Sequence, residues 1–218
     1  MIVLKASKIS HLTDARYFSA KGASIMGFDL DPRSPDFISP DQLHAIADWV
    51  DGVNLAGEFG LNPPEEILHL AQSLNLEYIQ LPHFYESDRM GDFKGHKIIK
   101  TIIVERGVNT SSLAHRITDW APHCRAVELD FQAQGINPLA EEGIGISGLN
   151  ELLDLHQCFI KAPLTLDSIA HIQKLNSYPG ITFSGSHEEK VGFKSFEDID
   201  AILDYLEEIG WFDPYFYP

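Results

Sequence analysis

The sequence predicts an α/β fold: a (β/α)8 TIM barrel made by residues 1–218 as a single domain. Three observations carry this expectation. Short apolar runs alternate strictly with amphipathic stretches, which implies parallel strands joined by right-handed helical crossovers. The alternation recurs eight times, at roughly 25 to 30 residues per unit, and eight such units close most naturally into a small barrel. No Gly-x-Gly-x-x-Gly follows any of the runs, which disfavours an open doubly wound sheet.

The elements follow in order. Ile2-Val3-Leu4 reads as the first strand, and Thr13 is placed to cap a helix through Ala20 that Gly22 stops. Ser24 to Phe28 is the second strand. Ser39-Pro40-Asp41-Gln42 combines an N-cap, a proline at the first helical position and a capping-box glutamine, opening a helix to about Trp49. Val53 to Phe59 is the third strand, and Pro63-Pro64-Glu65-Glu66 opens the third helix. Tyr78 to Leu81 is the fourth strand, followed by a weakly helical Tyr85 to Phe93. Ile98 to Val104 is the fifth strand, Thr110 to Trp120 a helix, and Ala126 to Asp130 the sixth strand. Phe131 to Ile146 has no clear period and reads as a long loop. Gly148 to Leu155 is then helical, Cys158 to Lys161 a strand, Leu166 to Leu175 a helix, and Ile181 to Phe183 the eighth strand. Phe196 to Ile209 closes the pattern as an acidic helix.

Composition narrows the function. With 44% hydrophobic and 22% charged residues the chain has globular usage, which excludes extended disorder. Its 16 basic and 32 acidic residues give a net charge of −16, which repels phosphate backbones and anionic lipid, so neither nucleic acid nor a membrane is expected as a partner. The richest apolar stretch, Ile98 to Val104, is broken by Lys100, and Met1-Ile2-Val3-Leu4-Lys5 has no signal-peptide pattern. Cys124 and Cys158 form neither a Cys-x-x-Cys motif nor a disulfide framework, and a cytoplasmic protein with reduced thiols is the simplest reading. Among the ten histidines no two lie closer than eight positions, so no helical metal-ligand pair exists. His187-Glu188-Glu189 reads as a solvated loop, and no cofactor or metal is implied.

Active sites of such barrels lie where strands end on the C-terminal face. The polar residues there are Lys5, Ser7, Asp29, Asp31, Glu58, Gln80, Lys100, Glu128, Asp130, Lys161 and Ser184. Side chains alternate along a strand, so Lys5 shares a direction with Ser7, and Glu128 with Asp130, one of each pair lying deep and the other at the mouth. A mouth ringed by Ser7, Asp130 and Lys161 suits acid/base work on a small polar substrate. The alternative is a buried network in which Lys5, Lys100 and Lys161 neutralise Glu128 and Asp29. Ser184-Gly185-Ser186, after the eighth strand, is placed to present backbone N–H groups to a phosphate.

Several motifs taken together resemble phosphoribosylanthranilate isomerase, a family of tryptophan biosynthesis. They are Lys5-Ala6-Ser7, Thr13-Asp14-Ala15, Gly22 to Phe28, Pro32-Arg33-Ser34-Pro35, Phe37-Ile38-Ser39-Pro40 and Gly57 to Asn62. Tyr78-Ile79-Gln80-Leu81, Glu128-Leu129-Asp130, Phe183-Ser184-Gly185-Ser186 and Gly192-Phe193-Lys194 continue the match over nearly the whole chain. The resemblance implies a (β/α)8 barrel and an Amadori aldose–ketose isomerisation of a small phosphorylated substrate. A general acid opens the ribose ring and a general base removes the C2′ proton. It assigns the acid to Asp130, and places the base, a cysteine in the family, at Ser7. The strand-end reading and the resemblance together give Ser184, Gly185, Ser186, Lys5, Arg33, Gln80 and Lys161 as candidate ligand-binding positions.

The chain departs from the family at several of these positions. A serine needs a neighbouring base where a cysteine does not, and none stands beside Ser7 in the sequence. Ser34-Pro35-Asp36 carries an aspartate where the family has the arginine that holds the anthranilate carboxylate, and Arg33 lies three residues earlier. Pro82 replaces a histidine, Phe131 to Gly135 replaces a glycine-rich loop, and Ala162-Pro163 replaces paired glycines. Three readings stay open: the family reaction with a substitute base, Glu58 or Lys161; a diverged enzyme for another small phosphorylated molecule; or a non-catalytic member that binds a ligand or partner. The combined substitutions argue against the first. Lys161 is expected to pair with Glu128. The aromatic tail, Trp211 to Pro218, is expected to pack on its own barrel, a homodimer contact being the alternative.

Overall fold

The computed structural model of the chain describes residues 1–139, 144–185 and 196–215. Eight parallel strands close into a barrel in sequence order. They are β1 (Val3–Ser7), β2 (Ile25–Asp29), β3 (Asn54–Glu58), β4 (Tyr78–Leu81), β5 (Lys97–Ile103), β6 (Ala126–Asp130), β7 (Cys158–Lys161) and β8 (Gly180–Ser184). β1 pairs with both β2 and β8, which completes the ring. Around it stand α1 (Leu12–Ala20), α2 (Pro40–Ala47), α3 (Pro64–Ser73), α4 (Thr110–Trp120), α5 (Gly145–Leu153), α6 (Leu166–Ile169) and α7 (Glu197–Glu208).

Local chemistry explains the helix ends. Ser39 accepts from the Gln42 amide and Gln42 reaches back to Ser39, the reciprocal cap expected for α2. α2 stops at Ala47, two residues short of the expected Trp49. Thr13 does not cap α1: the helix starts at Leu12, His11 is its N-cap, and no side chain caps it. Gly22, at φ +76, ends that segment as expected. Ser87–Phe93 is a 3-10 stretch where weak helicity was read, and Leu166 to Lys174 divides into α6 and a 3-10 continuation, Ala170–Lys174. The expected loop after β6 contains a short 3-10 turn, Gln132–Gln134, and α5 begins at Gly145, three residues early. Phe131, Ile136 and Leu139 of that loop are buried, so its apolar residues cover core without a helical period.

The barrel interior is layered because side chains alternate. At the N-terminal end Ile25, Ala56, Ile99, Ala126 and Phe159 form an apolar plug. Two residues further along each strand the layer becomes polar: Lys5 is in register with Thr182, Glu58 with Gln80, Thr101 with Glu128, and Lys161 with Thr182. The large apolar cluster lies outside, between strands and helices. At the chain's end Trp211 accepts from the Ile2 amide at 2.8 Å and Phe212 is buried, so this part of the tail packs on its own barrel. Phe216, Tyr217 and Pro218 lie outside the described residues. No described helix is long and apolar enough to cross a membrane.

The plug is closed by a glycine. A Cβ on Gly180 would stand 2.2 Å from the Phe159 ring. Gly180→Ala is therefore expected to destabilise the chain by about 1–3 kcal/mol, the usual cost of overpacking. Urea denaturation checks this.

Candidate active site

A buried ammonium organises the polar layer. Lys5 is 0% exposed, and its Nζ lies 3.1 Å from Glu58 Oε1 and 2.9 Å from Glu128 Oε2. Burial alone would lower the Lys5 pKa, but the two carboxylates reverse this and hold it above its ordinary value. Glu128 also accepts from Gln80 Nε2 at 2.8 Å and Thr182 Oγ1 at 2.9 Å. Burial pushes its carboxyl up, yet the charges of Lys5 and Lys161, with the hydrogen bonds from Lys5 and Thr182, pull it down to about 2.

Of the two candidate substitute bases, Glu58 is the one the structure brings beside Ser7. Ser7 Oγ donates to Glu58 Oε1 at 2.7 Å. The two are 51 residues apart, but β1 and β3 both flank β2, where Gly27 leaves room for the carboxylate. A Cβ on Gly27 would meet Glu58 Oε1 at 2.0 Å, so this glycine within a strand was the available signal. Ser7 and Lys5 are fully buried and line neither lobe of the mouth described below; Glu58 does line it.

The mouth has two lobes. Lobe one, about 320 Å³, is bordered by Asp29, Asp31, Ser34, Glu58, Gln80, Thr101 and His83. Lobe two, about 380 Å³, is bordered by Ser10, Asp36, Gln132, Ser184 and Gly185. Lys8, Asp130 and Lys161 line both. Asp130 accepts from the Ala133 amide at 2.9 Å and faces Lys161 Nζ at 3.4 Å. Lys161 thus stands directly against Asp130, because Glu128 is already occupied by Lys5, Gln80 and Thr182. Lys8 was not foreseen. Its backbone sits at φ +56, rare for a non-glycine residue, and its ammonium pairs with Asp36.

Other expected residues fall elsewhere. Lys100 points outward, 4.4 Å from the Trp120 ring centre, and donates to the Pro82 and Tyr85 carbonyls. It takes no part in the barrel network, because at this level Thr101, not Lys100, is the β5 residue that faces inward. Burial lowers its pKa to about 7. Arg33 is engaged by Asp31 at 2.8 Å and lines neither lobe. Among the described residues Asp29 pairs with no lysine, and it accepts from Ser34 Oγ at 2.6 Å. The Gly185 amide donates to the Ser7 carbonyl at 2.8 Å, while Ser186 lies outside the described residues, as do His187-Glu188-Glu189 and Gly192-Phe193-Lys194. Among the described residues no group of three His, Cys, Asp or Glu could hold a metal.

The family model for N-(5'-phosphoribosyl)anthranilate isomerase matches residues 4–205. The chain belongs to this family. An N-(5'-phosphoribosyl)anthranilate isomerase of Rubrobacter xylanophilus is 27% identical over 204 residues, covering 90% of this chain and 95% of the relative. Among solved structures, phosphoribosylanthranilate isomerase of Thermotoga maritima aligns with a TM-score of 0.77 at 20% identity, covering 95% of this chain and 100% of that one. A structure of the isomerase in complex with reduced 1-(o-carboxyphenylamino)-1-deoxyribulose 5-phosphate aligns with a TM-score of 0.73 at 19% identity, covering 95% of this chain and 100% of that one. At these identities the structural likeness establishes the (β/α)8 fold, and the family assignment rests on the sequence match.

Within this family member the polar layer is a stability element with a defined pH signature. Glu128 titrates near 2 in the folded chain against an ordinary 4.5, so it stabilises the fold above about 4.5 and loses that contribution as pH falls towards 2. Urea midpoints are expected to fall across that window, and Glu128→Gln is expected to remove that part of the slope. Lys5→Met, which strands two carboxylates, is expected to cost about 3–5 kcal/mol at neutral pH.

Proposed function

We propose that this barrel, acting as a single cytoplasmic domain, binds a small phosphorylated molecule at its C-terminal mouth and moves a proton on it. It would do so as a diverged phosphoribosylanthranilate isomerase whose substrate is not phosphoribosylanthranilate. The observation that carries the reading is the 2.7 Å hydrogen bond from Ser7 to Glu58, which puts a carboxylate beside the residue standing in the cysteine's place. Glu58 takes the base's role and Asp130, across the mouth, the acid's; Ser7 is a positioning residue that holds Glu58 Oε1. Lobe two supports the phosphate, with Lys8, Lys161, Ser10 and Ser184 as donors.

The anthranilate half of the family substrate finds no comparable support. Asp36 stands in the clamp position and is paired with Lys8, and Arg33 is held by Asp31 outside both lobes. One observation favours a second reading, a binding protein without turnover. Lys5 Nζ, 3.1 Å from Glu58 Oε1, holds the same oxygen that accepts from Ser7, so this carboxylate oxygen is engaged before any substrate arrives. Tyr215, 86% exposed, is the described part of the tail left for contact between two copies.

The test follows solvent deuterium entering the carbon next to the carbonyl in a panel of phosphorylated aldoses and ketoses, read by NMR. Exchange is expected with at least one, and Glu58→Gln and Asp130→Asn are each expected to slow it by about 10²–10⁴-fold. Ser7→Ala is expected to slow it less than either. Phosphoribosylanthranilate generated in situ is expected to keep its fluorescence. Turnover of it that Asp130→Asn abolishes would restore the family reaction to this chain. Phosphate binding without exchange anywhere in the panel would favour the binding protein.

A further inference from the structure

The two lobes of the mouth differ in charge balance. In lobe two each cation faces one carboxylate: Lys8 faces Asp36, and Lys161 faces Asp130. In lobe one carboxylates outnumber cations. Asp31 is held by Arg33, while Glu58 and Glu128 share the single ammonium of Lys5. Asp29 has no ion-pair partner within 4.0 Å among the described residues and accepts from the Ser34 hydroxyl and the Asp31 amide. Burial, only partly opposed by those two hydrogen bonds, raises its pKa above the usual carboxylate value.

Gln80 supplies an independent observation. It is 6% exposed and borders lobe one, and its Nε2 donates to Glu128 and Thr101. Turning the amide over would set its oxygen against the Glu128 carboxylate, so chemistry fixes its orientation. Oε1 is then left without a hydrogen-bond partner among the described residues. Among the described residues, lobe one is therefore bordered by a carboxylate without a cation, Asp29, and an amide whose oxygen is unpaired, Gln80, with Lys8, Lys161 and His83 as its basic side chains.

We infer that lobe one selects a hydrogen-bond-donating group of the ligand (a hydroxyl, an amide N–H or an ammonium) and rejects a carboxylate, with Asp29 as the specificity-determining side chain. The inference deepens the reading of a phosphorylated ligand at the mouth and rests on it. A carboxylate in lobe one would lie against Asp29, Asp31 and Glu58, while the lysines at its border, Lys8 and Lys161, already face Asp36 and Asp130. A donor there meets instead the Asp29 carboxylate, whose charge no described cation balances within 4.0 Å, an asymmetry from which polar sites draw their discrimination.

Calorimetric titration of the full chain with three probes tests this. They are inorganic phosphate, reduced 1-(o-carboxyphenylamino)-1-deoxyribulose 5-phosphate, and its o-carbamoyl counterpart, in which only the carboxylate becomes an amide. The carbamoyl probe is expected to bind at least about tenfold more tightly than the carboxylate. Asp29→Asn is expected to bring the two within about threefold and to leave phosphate affinity unchanged. A carboxylate probe that binds the unsubstituted chain as tightly as the carbamoyl probe overturns the inference, even if Asp29→Asn fails to fold. An unchanged ratio in a folded Asp29→Asn overturns the assignment to Asp29. Phosphate bound with neither larger probe bound overturns the selectivity and spares the phosphate reading. No binding of any of the three defeats that reading and this inference with it.

Discussion

Lys5 is buried at the centre of a barrel, and everything polar around it is arranged to make that tolerable. Removing an ammonium from water costs several kcal/mol, and an equal charge must stand close by with its own lone pairs satisfied. Two carboxylates do this, Glu58 from β3 and Glu128 from β6, at 3.1 and 2.9 Å. Glu128 in turn needs Gln80 and Thr182, and Gln80 binds Thr101. One ion pair thus recruits side chains from six strands, and such networks lose more than a single bond when one member is removed.

The same network prepares the mouth. Glu58 is held from below by Lys5 and from the side by Ser7, so its carboxylate cannot rotate freely where it borders lobe one. A hydroxyl suits this position: it donates a short hydrogen bond to a carboxylate, whereas a thiol donates only weakly. On the proposed reading, serine in place of cysteine moves the chemistry from the residue on β1 to its partner on β3. Gly27 permits the exchange, since any side chain on β2 at that level would occupy the space the carboxylate fills.

Much of the fold was legible because its signals are local: alternation of apolar runs, the Ser39 capping box, Gly22 at a helix end. Lys5, Ser7, Glu58, Glu128, Asp130 and Lys161 were legible as strand-end residues for the same reason. Their pairings were not. Which carboxylate meets which lysine depends on the register around a closed ring, and Ser7 meets Glu58 from 51 positions away. Lys100 was misplaced because β5 is buried on both faces. Ile98, Ile99 and Ile102 are all buried there, so no polar–apolar contrast marks which face points inward. The loop after β6 hid its structure differently: Phe131, Ile136 and Leu139 are buried through turns too short to show a period.

Charge on the whole chain and charge at the mouth answer different questions. A net −16 sets long-range repulsion of polyanions, but at physiological salt such fields fade beyond about 8 Å. At the mouth only the nearest groups count, and there Lys8 and Lys161 are each engaged with one aspartate. A phosphate entering lobe two must draw these ammonium groups from Asp36 and Asp130 or share them. Lys8 is suited to that exchange, because its left-handed backbone sets it where both lobes meet and its ammonium is only partly buried. Drawing Lys161 towards a phosphate would leave Asp130 with less of the cation that faces it at 3.4 Å. On the proposed reading, occupancy of lobe two would therefore change the charge beside Asp130, at the border the two lobes share.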